Sequence, residues 1–342
     1  MLGSVLVTGA TGFIGRHLCS RLVGEGWHVR GLVRPPGTSP GPGIERAVAA
    51  DLSDRRAIGA AMRGVDAVIH LAARVHVMRD AASDPLAAFR RVNVEGTRTL
   101  LAEASAAGVT RFVFASSVKA MGEGGDTVWT EAAPAMPTDP YGISKLEAER
   151  VVTDFADRTG LHATILRLPL VYGPGMKGNL VRLFHLVHRG VPIPLGRVQN
   201  RRSMAYVGNV VGAILSVLRT PAAARELFLV SDGEDLSTPE LIRAIGYVLG
   251  KPPRLWPVPL RLIEAAGIVG DAAARIWRGF PLTSAELRRL TGSLAVDSSK
   301  LRRVTGFVPE MTVMQGLERT AQWYLERVGA GITRSPSGIG AP

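Results

Sequence analysis

A chain of 342 residues with 46% hydrophobic and 20% charged residues is long enough for two domains, and its scattered glycines and prolines form no repeat, which excludes a fibrous or low-complexity protein. A single cysteine, Cys19, excludes an intramolecular disulfide and a cysteine-based metal site, and reads as a packing residue. The formal net charge of +12 admits polyanionic ligands, but the cations are dispersed and mostly arginine, with no basic tail or aromatic-interleaved stripe; this argues against nucleic acid and for a phosphate-bearing ligand, with loose association with an anionic membrane surface as a second reading.

The N-terminus enters a strand at once, without the basic segment, apolar run and cleavage site of a secretory leader, so a cytoplasmic protein is expected. An apolar run at 4–7 reads as the first strand and 14–25 as a helix, with Thr8-Gly9-Ala10-Thr11-Gly12-Phe13-Ile14-Gly15 between them. Three glycines three residues apart permit a sharp turn, bring main-chain N–H groups close to a pyrophosphate and let helix and strand pack together. The spacing is GxxGxxG rather than GxGxxG, so the strand-turn-helix context, not the glycines alone, points to a dinucleotide.

Residues 29–34 read as a second strand, followed by a Pro/Gly-rich loop at 35–43. NAD enzymes place an acidic side chain at the end of this strand to bind the ribose hydroxyls. Val33 and Arg34 stand here instead, which favours NADP(H) over NAD(H) unless Arg34 is a solvated loop charge. A strand at 47–50, the dipeptide Asp51-Leu52, a helix at 54–62, a strand at 67–71, a long helix at 85–106 and a strand at 111–115 ending in Ser116-Ser117 continue the alternation. This pattern predicts an α/β fold with a doubly wound parallel sheet of the Rossmann type.

A polar, proline-containing loop at 123–139 precedes a helix from Tyr141 to about residue 157, and a strand follows at 163–167. Beyond Pro169 the alternation degrades, while a helix at 207–218 and a strand at 227–230 return to it, so the lobes are interleaved. The expected division is a dinucleotide-binding domain at 1–168 plus about 205–232, a smaller C-terminal lobe at 169–204 and 233–328, and a flexible tail at 329–342. Ser237-Thr238-Pro239-Glu240 predicts a capping box opening a helix to residue 249, and 312–315 a second one. The apolar stretch 255–277 is too interrupted by charges and prolines to span a membrane and reads as a buried or interface helix pair.

Tyr141 and Lys145, four residues apart, project from one helical face. A phenol needs a nearby positive charge to move a proton at neutral pH, and Lys145 supplies one. Ser117, at the end of the preceding strand, is placed to hydrogen-bond a reacting oxygen while a dinucleotide exchanges hydride at the carbon bearing it. The chemistry read from these residues is alcohol/ketone interconversion.

In order along the chain, Thr8 to Gly15, Asp51-Leu52, His70-Leu71-Ala72-Ala73, Asn93-Val94-Glu95-Gly96-Thr97, Ser116-Ser117, Tyr141-Gly142-Ile143-Ser144-Lys145 and Val171-Tyr172-Gly173-Pro174-Gly175 resemble the extended short-chain dehydrogenase/reductases of the nucleotide-sugar epimerase/dehydratase group. The resemblance implies a cofactor bed of Gly9, Thr11, Gly12, Phe13, Ile14, Gly15, Arg34, Asp51, Leu52, Leu71, Ala72, Ala73, Asn93, Ser116, Tyr141 and Lys145, with Asp51 and Leu52 at the adenine. It implies Ser117, Tyr141 and Lys145 as the catalytic set, with Asn179 and Arg202 on the diphosphate of a UDP-sugar and Leu195 beside the uracil. Lys119 and Met121 complete the implied substrate contacts, and no metal is implied. It further implies a substrate lobe at the C-terminal side, polysaccharide synthesis as the setting, and a homodimer through 85–106 and 141–157.

Two departures shape the expected activity. Met121 stands where many 4-epimerases and dehydratases carry tyrosine, and Val118-Lys119 replaces the acid/base pair of dehydratases. The segment resembles enzymes that reduce UDP-4-keto-6-deoxy-N-acetylglucosamine at carbon 4. A 4-ketoreductase is therefore the first expectation, a UDP-sugar 4-epimerase with bound NAD the second, and a non-catalytic cofactor-sensing module the third, disfavoured by the intact Ser117, Tyr141 and Lys145.

Overall fold

The computed structural model describes residues 3–34, 39–49, 51–75, 83–276 and 284–330. Its main sheet is built from β1 (Ser4–Thr8), β2 (His28–Val33), β3 (Ile44–Val48), β4 (Ala67–His70), β5 (Arg111–Ser117), β6 (His162–Leu168) and a seventh strand, Leu227–Leu229, in the order β3-β2-β1-β4-β5-β6 followed by that strand. All the pairings are parallel. The helices α1 (Phe13–Gly24), α2 (Arg55–Met62), α3 (Pro85–Arg90), α4 (Gly96–Ala106) and α5 (Pro140–Thr159) join them.

The uninterrupted apolar run of β1 is what a strand covered on both faces requires. Alternation sends Val5 and Val7 into one core with Leu18 and Leu22 of α1 and Ile214 of the helix Val207–Arg219. Leu6 points the other way, into a core with Ile58 of α2, Leu100 of α4 and Val152 of α5. Cys19 is fully buried in the first core, as a packing residue should be. The strand order reverses at β1, whose neighbours are β2 and β4, and this is where the C-terminal ends of a doubly wound sheet leave a crevice for a ligand.

The long helix expected at 85–106 is broken into α3, a π turn at Arg91–Glu95 and α4. Asn93, in the π turn, accepts the Thr97 hydroxyl at its carbonyl (2.6 Å). Wide turns of this kind recur at functional sites.

The chain divides into two compact units, the first made of Met1–Val171, Ser203–Gly233 and Leu294–Glu310, the second of Tyr172–Arg202, Glu234–Ser293 and Met311–Pro342. Residues 294–310, expected in the second lobe, belong to the first unit. Their backbone pairs with Ser203 and Trp129, through Ser203 N–H to the Leu294 carbonyl (3.0 Å) and Trp129 N–H to the Ala295 carbonyl (2.9 Å). Leu301 enters the core that holds Val5 and Val7. Such pairings between distant segments carry no local periodicity. The expected tail beyond residue 330 lies outside the described residues.

Within the second unit, Ser237 and Glu240 form a complete capping box on the helix Thr238–Val248, and Thr312 and Gln315 another on Val313–Gly329. Tyr172 is fully buried there, its hydroxyl donating to the Val313 carbonyl (3.2 Å). Gly316 permits this, since a Cβ on it would lie 2.5 Å from the tyrosine oxygen. The stretch expected as a buried or interface pair contains the helix Leu260–Ile276, which buries Ile263 but exposes Leu260, Leu262, Ile268 and Val269. Among the described residues no helix is long and apolar enough to cross a membrane.

Candidate active site

The glycine turn is fixed by close approaches. Gly9 has φ +69°, and a Cβ on it would sit 2.9 Å from the Ala72 nitrogen, so the ends of β1 and β4 touch here. A Cβ on Gly15 would lie 2.1 Å from the Gly9 carbonyl oxygen. Gly12, the exposed N-cap of α1, donates its N–H to the Gly9 carbonyl (2.8 Å), while Arg16 Nε ties down the Thr11 carbonyl (2.9 Å). The first turn of α1 carries no acidic residue and its N-cap makes no side-chain bond, so its N–H groups and positive helix end remain for an anion. Phe13 and Ile14 open the helix, with the Phe13 ring edge-on to His17 at 5.8 Å. These residues fit the diphosphate of a dinucleotide.

The wall beside the turn is a hydrogen-bonded chain that the motif alone does not reveal. Thr97 donates to the Asn93 carbonyl, so its oxygen receives His70 Nε2–H (3.0 Å), leaving Nδ1 to accept from the Thr8 hydroxyl (2.7 Å). Thr8 in turn receives the Ala72 N–H (3.1 Å). His70 is thereby held as the neutral Nε2–H tautomer, and burial, with a smaller contribution from Lys145, depresses it to about 3. Leu71 and Ala73 flank Ala72, half-buried.

Asp51 is exposed and receives both the N–H (2.6 Å) and the hydroxyl (2.5 Å) of Ser53. These bonds lower its carboxyl below the ordinary value, with smaller contributions from Arg91 and Arg34. Arg34 is exposed, and Leu52 packs under Gly96.

Two elements, β5 and α5, bring Ser117, Tyr141 and Lys145 together. β5 ends at Ser117, whose oxygen accepts the Lys119 N–H (3.2 Å), leaving its proton to donate to Tyr141. Helix α5 starts at an Asp139 cap on the Gly142 N–H (3.0 Å) with Pro140 in its first turn. Gly142 lets this turn lie against the preceding segment, since a Cβ there would come 2.4 Å from the Lys119 carbonyl oxygen. Tyr141, half-buried with its ring 5.9 Å from that of Phe89, is pushed up to about 12 by burial, against the Ser117 hydrogen bond, with a smaller upward push from Asp139. The phenol is thus protonated at neutral pH. Lys145, the cation expected beside Tyr141, is buried, its ammonium bonded to the Ala115 carbonyl (2.7 Å) and 4.0 Å above the Phe114 ring.

Glu149, one turn beyond Lys145 on the same α5 face, was not among the expected site residues although its spacing marks it. It is buried, accepts the Ser116 hydroxyl (2.5 Å) and pairs with Arg167 of β6 at 3.0 and 2.7 Å. Burial lowers Lys145 to about 7, and the Glu149 carboxylate partly restores it.

Several of the expected contact residues have protein partners. Ser116 is buried and its hydroxyl enters this network. Asn93 is buried, its amide donating to the Arg74 carbonyl (3.0 Å) and Ser144 Oγ (2.9 Å) and accepting the Arg74 N–H (2.8 Å), so it braces the loop after β4. Met121 is buried in a core with Val118, Leu229, Leu294 and Val296. The Lys119 ammonium is paired with Glu123 (2.5 Å).

In the second unit Arg202 donates to the Arg289 carbonyl in the last turn of the helix Ser284–Thr291 and to the Gly292 carbonyl just past it, a helix end that suits a cation. Burial lowers its guanidinium, and the bonds spend one of its nitrogens on structure. Leu195 is buried, and Asn179 stands exposed at the start of the helix Asn179–His188. No group of three or more His, Cys, Asp or Glu among the described residues is arranged for a metal. An open depression of about 490 Å³ beside α1, lined by His17, Ser20, Arg21, Gly24 and Glu25, holds none of the site residues.

Comparison with known proteins matches residues 5–230 to the family described as NAD dependent epimerase/dehydratase. A UDP-glucose 4-epimerase of Vibrio cholerae is 37% identical, over 94% of this chain and 96% of that protein. An N-acetyl-alpha-D-glucosaminyl-diphospho-ditrans,octacis-undecaprenol 4-epimerase of Escherichia coli O157:H7 is 31% identical over the same shares, 94% and 96%. Among solved structures, MoeE5 in complex with UDP-glucuronic acid and NAD matches with TM-score 0.74 and 26% identity, covering 95% of this chain and 99% of that one.

Proposed function

The chain belongs to the NAD dependent epimerase/dehydratase family, and from that premise we propose that it moves hydride at carbon 4 of a UDP-linked sugar, reducing a 4-keto-6-deoxy-N-acetylhexosamine. The observation that carries this is the convergence of Ser117, Tyr141 and Lys145 at the end of β5, in the same unit as the glycine turn. NAD(P)H, when held by the turn and the β4 wall, supplies the hydride. Tyr141, protonated at neutral pH, gives its proton to the carbon-4 oxygen as the alkoxide develops and regains one from solvent. Ser117 holds that oxygen, and the Lys145 ammonium, anchored on Ala115, stabilises the phenolate left behind. Arg34 and Arg91, both within electrostatic reach of Asp51, support a preference for NADP(H). Pairing of two copies through α3, α4 and α5 completes the reading, and sedimentation velocity tests it.

Similarity to two proteins named as 4-epimerases favours a second reading, in which the same three residues first remove hydride and then return it on the opposite face. One experiment separates the two. Stoichiometric NADPH or NADH oxidation with UDP-4-keto-6-deoxy-N-acetylglucosamine, lost in Tyr141→Phe, supports reduction. Interconversion of UDP-N-acetylglucosamine and UDP-N-acetylgalactosamine without added reductant supports epimerisation, and neither activity sinks both.

A further inference from the structure

The helix Leu260–Ile276 of the second unit is apolar on two opposite sides. Ile263, Gly267 and Gly270, on one stripe, are buried. Gly267 lies against the helix Ser284–Thr291, where a Cβ would meet Leu287 at 3.0 Å and Ser284 at 3.1 Å. At 100° per residue, Leu262, Ala265 and Val269 project from the opposite side, with Ile268 beside them. All of these are exposed, Leu262 at 60% and Ile268 and Val269 at 68% each. Just before the helix stand Trp256, 57% exposed, and Leu260 at its first position, 42% exposed. A solvent-facing helix carries polar residues on its outer side, and an exposed cluster of large apolar side chains marks a contact surface.

The charges around the cluster identify the partner. Arg254 is exposed just before the helix, and exposed Arg261 falls between Ile268 and Ala265 on the apolar side by the same count. Two acids of the helix, Glu264 and Asp271, are exposed as well, but the same 100° count turns both toward the packed stripe and away from the apolar side. A second copy of the chain would set this net positive face against itself, which disfavours a two-fold pairing. An indole, protruding aliphatics and flanking arginines are the features of a helix lying in the headgroup layer of an anionic bilayer. We propose that this face of the second unit docks the protein on anionic lipid membranes, with Leu262, Ile268, Val269 and Trp256 entering the interface and Arg254 and Arg261 meeting the headgroups. The proposal is independent of which carbon-4 reaction the first unit carries out.

The test is co-sedimentation of the full chain with phosphatidylcholine vesicles with and without about a third phosphatidylglycerol. The wild type is expected to pellet with the anionic vesicles only, and added salt to release it. Leu262→Glu with Val269→Glu should weaken binding roughly tenfold or more, and Arg261→Glu should weaken it and flatten its salt dependence. Because these side chains are exposed, circular dichroism of the variants should match the wild type. Trp256 emission should shift to the blue on adding anionic vesicles, a shift absent in Trp256→Phe. Wild type remaining in the supernatant with anionic vesicles, unchanged binding by the double variant, or a dimer that the double variant dissolves without any effect of lipid would overturn the proposal.

Discussion

Replacing Glu149 with glutamine keeps the shape of the buried network and removes one charge, and two effects follow that can be measured apart. Arg167 loses its carboxylate in a site where both side chains are about 5% exposed. Breaking a buried pair from one side costs about 3 kcal/mol, a loss readable in the urea midpoint. The second effect concerns Lys145, whose ammonium is lowered to about 7 by burial and supported by Glu149. Withdrawing a carboxylate one helical turn away should lower it by about one further unit. Since the ammonium exists below its pKa, activity that needs it persists at low pH and fades as pH rises through about 7. In Glu149→Gln that basic limb of the kcat/KM profile should move to lower pH by about one unit, leaving activity near pH 8 about tenfold under the wild type. Arg167→Gln should move the limb the other way, because Glu149 then acts on Lys145 undiluted. A profile that superimposes on the wild type while the urea midpoint falls would refute this reasoning and leave Glu149 a purely structural residue.

Three further outcomes are expected. His70, depressed from 6.5 to about 3, contributes full stability above 6.5 and loses it as pH falls toward 3, because only the unfolded chain takes up the proton in that window. Urea unfolding should therefore show a loss of about 2 kcal/mol between pH 7 and pH 5, and His70→Asn, which removes the titrating group, should abolish that particular slope. Gly142→Ala places a methyl 2.4 Å from the Lys119 carbonyl oxygen and pushes the first turn of α5, and Tyr141 with it, off Ser117; kcat should drop about 100-fold with much less change in KM, read by steady-state kinetics. Cys19, buried and pushed up to about 12, should resist thiol reagents in the folded protein at pH 8 and react fully in denaturant.

What could be read from the residues and what could not divide along a physical line. The apolar run of β1, the glycines at 9, 12 and 15 and the Ser237-x-x-Glu240 box act through their immediate neighbours, so local pattern suffices to place them. Tyr141 and Lys145 share a helical face by spacing alone, and Glu149 extends the same face and was legible in principle. The fate of a polar side chain is decided by partners far away in sequence. Ser116 meets Glu149 and Arg167, Asn93 meets Arg74 and Ser144, and Arg202 meets the end of a helix near residue 290. Nothing near those residues signals the pairing, so their bracing role in the fold could not be read from the sequence. Met121 shows the same limit for an apolar side chain, since its core neighbours Leu229, Leu294 and Val296 come from two distant segments. The π turn at Arg91–Glu95 leaves no mark in hydrophobic periodicity over so short a span.

The most direct test of carbon-4 hydride transfer with Tyr141 as proton donor follows deuterium from the reduced dinucleotide into product by mass spectrometry, at saturating UDP-4-keto-6-deoxy-N-acetylglucosamine, in wild type and Tyr141→Phe. Deuterium should appear at carbon 4, and the variant should form that product roughly 1,000-fold more slowly while binding the dinucleotide as the wild type does. Deuterium absent from carbon 4, or a variant that keeps pace with the wild type, would contradict the account.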